Sequence, residues 1–451
     1  MSQPAPQFLP KTLKLPAAAW IAYDLANTVY AAVLTYVFVP YLGRLLGSQS
    51  AQGIVNSLSM IAAGLLVPLF ASMADHTGRA RLYLVLTTLC CIVPMGLFGL
   101  PSEPVMVLGL FFLANLAYNA ALVFYNSLLP SVASPQRQGL VSGLGVGLGY
   151  FGTLITLVLA LMVFKDMGYT TKFAVLAGVF FLFALPSFFL VRERRVLLRE
   201  PFTFSLARQQ AKSVLATLRD LPRNRTMMWF LLGNFFCVDV LNTAIMFFGA
   251  FTENAFFVNT GTVDNEVWVP RATVQVFGMV MTDPADLLKL AGFSLNTLAL
   301  LFGVMLGFLT DRFGSLRILR LSAFFLLLGL IGSAYWGGGD ATLYIVAICG
   351  FGGLGLSGVW TAGRKLLIEL SPVEKIGEYF GLYGITVKLS VIGSAVFGVV
   401  VDQVTRATGS DLQGWKVALA SQAVPLALGL VFLSFVRMPK AGDRHQASGG
   451  S

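Results

Sequence analysis

Ala71-Ser-Met-Ala-Asp75-His-Thr-Gly78-Arg79-Ala-Arg81 and Gly307-Phe-Leu-Thr-Asp311-Arg312-Phe-Gly314-Ser-Leu-Arg317 are two copies of one pattern, Asp-x-x-Gly-x-x-Arg, set 236 residues apart. Each copy closes a tight turn between two long apolar runs. The glycine supplies the positive φ that a short turn between helices needs. The aspartate can pair with an arginine and cap the N-terminus of a neighbouring helix, where the helix dipole favours an anion. Two further pairs keep the same order: Asp24-x-x-Asn27-Thr28 recurs as Asp239-x-x-Asn242-Thr243, offset 215, and Ser134-Pro135 recurs as Ser371-Pro372, offset 237. The 21 extra residues between the first two offsets fit one insertion at about 257–285. Three ordered matches make the chain two repeats of one unit.

The runs between these motifs settle the solvent. Of 451 residues 56% are apolar and 12% charged, with a mean hydropathy of +0.77; soluble domains carry roughly 25% charged residues. That excludes a soluble enzyme and a disordered scaffold. Apolar runs fall at 17–45, 52–74, 82–100, 104–130, 139–164, 172–191, 227–256, 286–310, 317–336, 341–366, 377–401 and 414–437. Each can cross a hydrocarbon layer of ~30 Å as a helix. The expected fold is therefore all-α and integral to the membrane, with twelve transmembrane helices in two pseudo-symmetric six-helix halves. These are residues 1–191 and 227–437, joined by a linker at 192–226 and followed by a tail at 438–451. The first run reads as a span, not a cleaved signal peptide: it is too long, carries Asp24 and Asn27, and lacks a small-residue cleavage site. In the linker, Phe202–Leu221 is amphipathic and predicts a helix lying along the membrane surface. The insertion, with Asp264, Glu266, Pro270, Arg271, Asp283 and Pro284, is expected to project from the membrane. Its Val267-Trp-Val269 and Thr273-Val-Gln-Val276 alternate as a short hairpin would.

The net charge of +10 is a topology signal. With the N-terminus inside, 23 of the 31 Lys and Arg fall in inner loops and tails, 7 in outer loops, and Lys388 within a span. By the positive-inside rule both termini are cytoplasmic, in a multi-pass protein of the cell (inner) membrane, and a nucleic-acid partner is not expected. Cys90, Cys91, Cys237 and Cys349 all lie in apolar runs, and His76 and His445 are the only histidines. Neither set has zinc-site or disulfide spacing, so no cofactor and no enzymatic centre are expected.

The turn sequence resembles the signature of the major facilitator superfamily, Gly-x-x-x-Asp-Arg-x-Gly-Arg-Arg or Lys between helices 2 and 3. The second copy keeps both Gly307 and Arg312. The resemblance implies that Asp75, Gly78, Arg79 and Arg81, with Asp311, Arg312, Gly314 and Arg317, latch the two halves on the cytoplasmic side in an outward-open state. A closer likeness covers most of the chain: Trp20-Ile-Ala-Tyr23-Asp24-Leu-Ala26-Asn27-Thr28-x-Tyr30, Val141-Ser142-Gly143-Leu-Gly145-x-x-Leu-Gly149-Tyr150-x-Gly152, Ala184-Leu-Pro186, Asp239 with Thr243, Gly363-Arg364, Phe380-Gly381-Leu-Tyr383, Lys388 and Gly393. These resemble the vacuole effluxer-like branch, which includes autophagy-related permeases that export amino acids.

Polar residues inside the spans mark the candidate site, since an ionisable group there costs a few kcal/mol and normally faces a cavity. Asp24, Asp239 and Lys388 lie near the midplane by residue count. Asp24, Asn27, Thr28 and Asp239, Asn242, Thr243 each stand at i, i+3, i+4 on one helix face. Asn115, Tyr118, Asn119, Tyr125 and Asn126 share a face of span 4, and Ser357, Trp360, Thr361 and Arg364 a face of span 10. In the resembled fold, helices 1, 4, 7 and 10 line the central cavity. The expected activity is secondary active transport of a small polar solute, an amino acid, by alternating access in a monomer. Asp24 and Asp239 form the working centre, and at least one exchanges a proton. Alternatives are a cation or divalent-metal transporter using both aspartates with Cys237, and a non-transporting receptor on the same fold. The glycine run in span 5 is read as close packing, Gly139-x-x-x-Gly143-x-x-x-Gly147, as is Gly377-x-x-x-Gly381 in span 11.

Overall fold

The structure is a computed structural model. It describes residues 15–38, scattered positions between 41 and 77, 78–101, 103–159, 163–164, 167–191, scattered positions between 208 and 220, and then 221–260, 267–372, 375–389 and 391–438. The first half holds α1 Leu15–Val33, α2 Ala80–Leu97, α3 Pro104–Ser127, α4 Gln138–Val158 and α5 Tyr169–Leu190. In the second are α6 Arg225–Phe256, α7 Pro284–Phe313, α8 Ser315–Trp336, α9 Gly353–Leu370, α10 Ile376–Leu389, α11 Val391–Thr408, α12 Asp411–Ser421 and α13 Ala423–Ser434.

Among the described residues nine helices are long and apolar enough to cross a membrane, at the expected spans three to ten and twelve. α1 runs on as a π-helical stretch, Leu34–Phe38, and α10 with α11 covers the expected span eleven. The expected second span, Asp75, the surface helix at Phe202–Leu221 and the tail lie wholly or largely outside the described residues. Local chemistry sets several boundaries. Asn224 caps α6 by accepting from Met227 N at 3.2 Å. Gly314, at φ 94°, separates α7 from α8, and Gly78, at φ 61°, stands before α2, as turns this short demand.

The insertion departs from a purely helical reading. β1 Phe257–Asn259 pairs antiparallel with β2 Trp268–Pro270, and β3 Val274–Val276 with β4 Met279–Met281. The alternation at 267–269 and 273–276 locates β2 and β3, but these do not pair with each other as the expected single hairpin: β2 pairs back to β1, which continues from α6, and β3 forward to β4. They sit at the end of the bundle opposite the Asp-x-x-Gly-x-x-Arg turns, because α6 leaves Asn224 for that end and α7 returns from it.

Inside each half the pairs follow the repeat: α2 on α3 and α1 on α5, then α8 on α9 and α6 on α13. The heaviest packing in the molecule joins the halves, α4 against α7. Gly139, Gly143 and Gly147 of α4 meet Gly303 and Gly307 of α7 backbone to backbone. A methyl group added at Gly147 would lie 2.7 Å from the Leu300 carbonyl oxygen, and one at Gly307 would lie 2.6 Å from that of Gly139. Small residues allow such approach where lipid gives helices no hydrophobic reason to associate.

Candidate functional site

The two halves are tied most directly by a buried ion pair. Arg364 of α9 donates from Nη1 to Asp24 Oδ2 at 2.8 Å and from Nη2 to Oδ1 at 3.4 Å, across 340 residues of sequence. Both side chains are buried. The guanidinium lies 5.9 Å from the Trp20 ring centroid and 5.6 Å from that of Tyr125, and these rings stack at 4.2 Å. Trp20 Nε1 donates to the Tyr125 carbonyl at 2.8 Å. Tyr23 stacks on the other side of Tyr125 at 5.0 Å and shares a 2.6 Å hydrogen bond with Thr88 Oγ1. Gly145 leaves room for the pair, since a methyl group there would come within 2.9 Å of Asp24 Oδ2 and 3.0 Å of the Trp20 ring. The result is a two-pronged, charge-assisted contact with aromatic walls.

A second cluster sits at the turn-bearing end. Asp311 accepts from Gly139 N at 2.8 Å and Leu140 N at 2.7 Å, capping the first turn of α4 from the opposite half. Its cationic partner is Lys365, at 2.5 Å, and not an arginine of its own motif: Arg312 and Arg317 are exposed. Successive helical residues point about 100° apart, so α9 turns Arg364 toward α1 and Lys365 toward Asp311. Lys365 also lies 3.8 Å from Glu369, which accepts from the Ser315 hydroxyl. Ser142 Oγ donates across the halves to the Thr361 carbonyl at 3.3 Å. Arg81 reaches the Phe189 and Val191 carbonyls at the end of α5. Its counterpart in the second half is Arg320, on the Leu433, Ser434 and Val436 carbonyls, where the repeat pointed to Arg317. Arg79 is exposed at the head of α2.

Asp239 is placed differently from Asp24. It is buried in α6 and accepts from Gly393 N of α11 at 3.1 Å. A methyl group at Gly393 would lie 2.7 Å from its carboxyl carbon. Among the described residues no cation pairs with it. Lys388 belongs to α10, with its side chain outside the described residues. The structure thus gives the two aspartates separate partners.

The remaining expected residues divide. Thr28 Oγ1 donates to the Asp24 carbonyl and Asn119 to the Asn115 carbonyl, each within its own helix, while Asn115 donates to Ser59 of another segment, a helix-packing bond. Tyr118 packs its ring on Tyr30 at 4.5 Å. Asn27 and Thr243 are buried, Asn242 and Trp360 half-buried. Among the described residues, the buried Asn126 Oδ1 and Thr243 Oγ1 meet no hydrogen-bond partner. Sequence reasoning missed Lys365, which it counted as a loop charge, and gave no role to Trp20 or Tyr23. The i, i+4 spacing of Trp20 and Asp24 was the available signal.

The description of the Major Facilitator Superfamily matches residues 21–352 and 285–450. A Bacillus subtilis (strain 168) protein described as an uncharacterized MFS-type transporter, YxiO, is 22% identical over 450 residues, 95% of this chain and 96% of that one. Among solved structures, the human organic anion transporter MFSD10 (TETRAN) superposes with a TM-score of 0.66 at 12% identity, over 93% of this chain and 99% of that one. The transporter FucP in its outward conformation gives 0.64 at 14% identity, over 94% and 98%. With its paired halves, its repeated turn and a match along nearly its whole length, the chain belongs to the major facilitator superfamily of membrane transporters.

Proposed function

We propose that this transporter carries a zwitterionic solute, an amino acid, by alternating access, and that Asp239 takes up and releases a coupled proton. The observation that supports this reading is the buried Asp24–Arg364 pair between the halves. In alternating access the two halves rock, so the pair must separate when its end of the bundle opens. A buried charge that loses its partner is destabilised by about 3–5 kcal/mol. A zwitterion replaces both partners at once, its carboxylate on Arg364 and its ammonium on Asp24, with Trp20 and Tyr125 along its flank. The loaded carrier therefore opens more readily than the empty one. The vacuole effluxer-like resemblance points to the same solute class. The Lys and Arg asymmetry supports a cytoplasmic side for the turn-bearing end.

Asp239 suits the proton because, among the described residues, no cation lies against its carboxylate, whereas Arg364 lies against that of Asp24. A metal cargo has less support: among the described residues no three His, Cys, Asp or Glu side chains gather, and both Asp24 oxygens are engaged by Arg364. Counterflow in proteoliposomes tests the reading. Amino acids should exchange, while the corresponding amines and N-acetyl acids should not. Equal exchange of a solute carrying only one of the two charges would reject the zwitterion site.

A further inference from the structure

The second hairpin, at the end of the bundle far from the latch, has a face that the transport site does not use. Residues 272–282 contain no charged side chain. Val274, Val276 and Met281 turn inward and are buried, while Phe277, Met279 and Val280 stand 63%, 50% and 58% exposed. The tip is Phe277 at φ 50° followed by Gly278 at φ 84°. The left-handed region is disfavoured for a residue with a side chain, and turns that need it ordinarily use glycine or asparagine. An aromatic group is thus presented at the point where backbone preference argues against one.

The tip is also held at a defined height. Phe277 N donates to Thr342 Oγ1 at 3.1 Å, and that hydroxyl lies 3.3 Å from the Gln275 carbonyl. Thr342 opens the helical segment that leads into α9, just after its N-cap Asp340. Leu343 and Val346, one helical turn apart, are exposed as well, while Tyr344 and Ile345 between them are buried. The exposed hairpin face therefore continues an apolar surface that already belongs to a membrane-crossing helix. It sits level with that helix's polar end, the depth at which aromatic side chains concentrate in bilayers.

We propose that the β3–β4 hairpin is an interfacial anchor, with Phe277, Met279 and Val280 inserted into the headgroup–acyl boundary of the bilayer leaflet at that end. Uncharged apolar side chains on a rigid turn are suited to that boundary and unsuited to open water. The anchor holds the outer end of the second half at a fixed depth while the halves rock.

The test uses the full chain in phosphatidylcholine–phosphatidylglycerol nanodiscs with Cys90, the exposed cysteine, changed to serine. Phe277→Cys and Val280→Cys are spin-labelled in turn, with Arg223→Cys, 84% exposed at the other end, as the aqueous reference. Collision of the label with oxygen, relative to a water-soluble nickel chelate, reads depth. The expected ratio at both hairpin sites is severalfold above that at 223. A ratio at 277 equal to the reference, whether the tip lies in water or against a soluble partner, overturns the anchor.

Discussion

Asp24 and Asp239 occupy the same place in the two repeats, each followed by asparagine and threonine on one helix face, yet they are held by different partners. Asp24 reaches out of its half to Arg364, whose guanidinium lies beside the stacked Trp20 and Tyr125 rings. Asp239 stays inside its half and rests on one backbone N–H of α11. The difference originates in the partner helices. Position 364 of α9 carries an arginine, whereas the residue 237 earlier, in α3, is Ser127, which donates to its own helix at the Phe124 carbonyl. Among the described residues, a cation therefore faces the carboxylate of one copy and not that of the other, and the proposed proton exchange at Asp239 rests on that asymmetry.

The sharpest break of this comparison is to remove one charge of the pair. Arg364→Met should destabilise the protein by about 3–5 kcal/mol, because it leaves Asp24 buried alone. The double variant Asp24→Asn/Arg364→Met should regain most of that stability while remaining inactive. Thermal unfolding in detergent and counterflow read the two outcomes separately; a double variant no more stable than the single one would contradict the pairing. Gly143→Leu comes next. It forces a side chain into the α4–α7 seam, where overpacking costs about 1–3 kcal/mol, and it should hold the turn-bearing end open. Cysteine-reagent access to Ser142→Cys should then rise, and unchanged access would count against the seam.

Asp311→Asn should cost a comparable amount, about 1.5–3 kcal/mol at most, for the weakened bonds to the α4 amides and to Lys365. A shift of about 1.4 kcal/mol already moves the balance of open and closed states tenfold. Single-molecule distance measurements between labels on the two halves would report it. The smallest effect on stability is expected for Asp239→Asn, within about 1 kcal/mol, since one backbone hydrogen bond is at stake. That variant should keep counterflow and lose accumulation driven by a pH gradient. Full accumulation would move the proton elsewhere.

Hydropathy was enough to read nine of the helical spans, and the repeated motifs anticipated the matching helix pairs within the described residues, because both are written in local pattern. The candidate site was legible only in part. Helical spacing put Arg364 on a polar face with Trp360 and Thr361, but its partner lies 340 residues away, and no periodicity reports such a contact. Lys365 was hidden by its neighbour, since two adjacent cations near a span end look like a loop signal when only one faces each cluster. The repeat misdirected the search once, toward Arg317, because Arg320 does its capping one turn further along. The glycine face of α4 was readable, while its match on α7 needed the structure to show which glycines meet.

That glycine seam bears on the speed of the transporter. Ordinary interfaces re-order side chains each time they close, and each long side chain so fixed gives up of the order of 1 kcal/mol of rotamer entropy. At Gly139, Gly143 and Gly147 against Gly303 and Gly307 there are no rotamers to lose. Closure there is contact between two stiff backbones, so the seam acts as a dry bearing. On the proposed alternating-access reading, its opening and shutting would be set by the Asp311–Lys365 cluster at its end, and little by the reorganisation of its own surface.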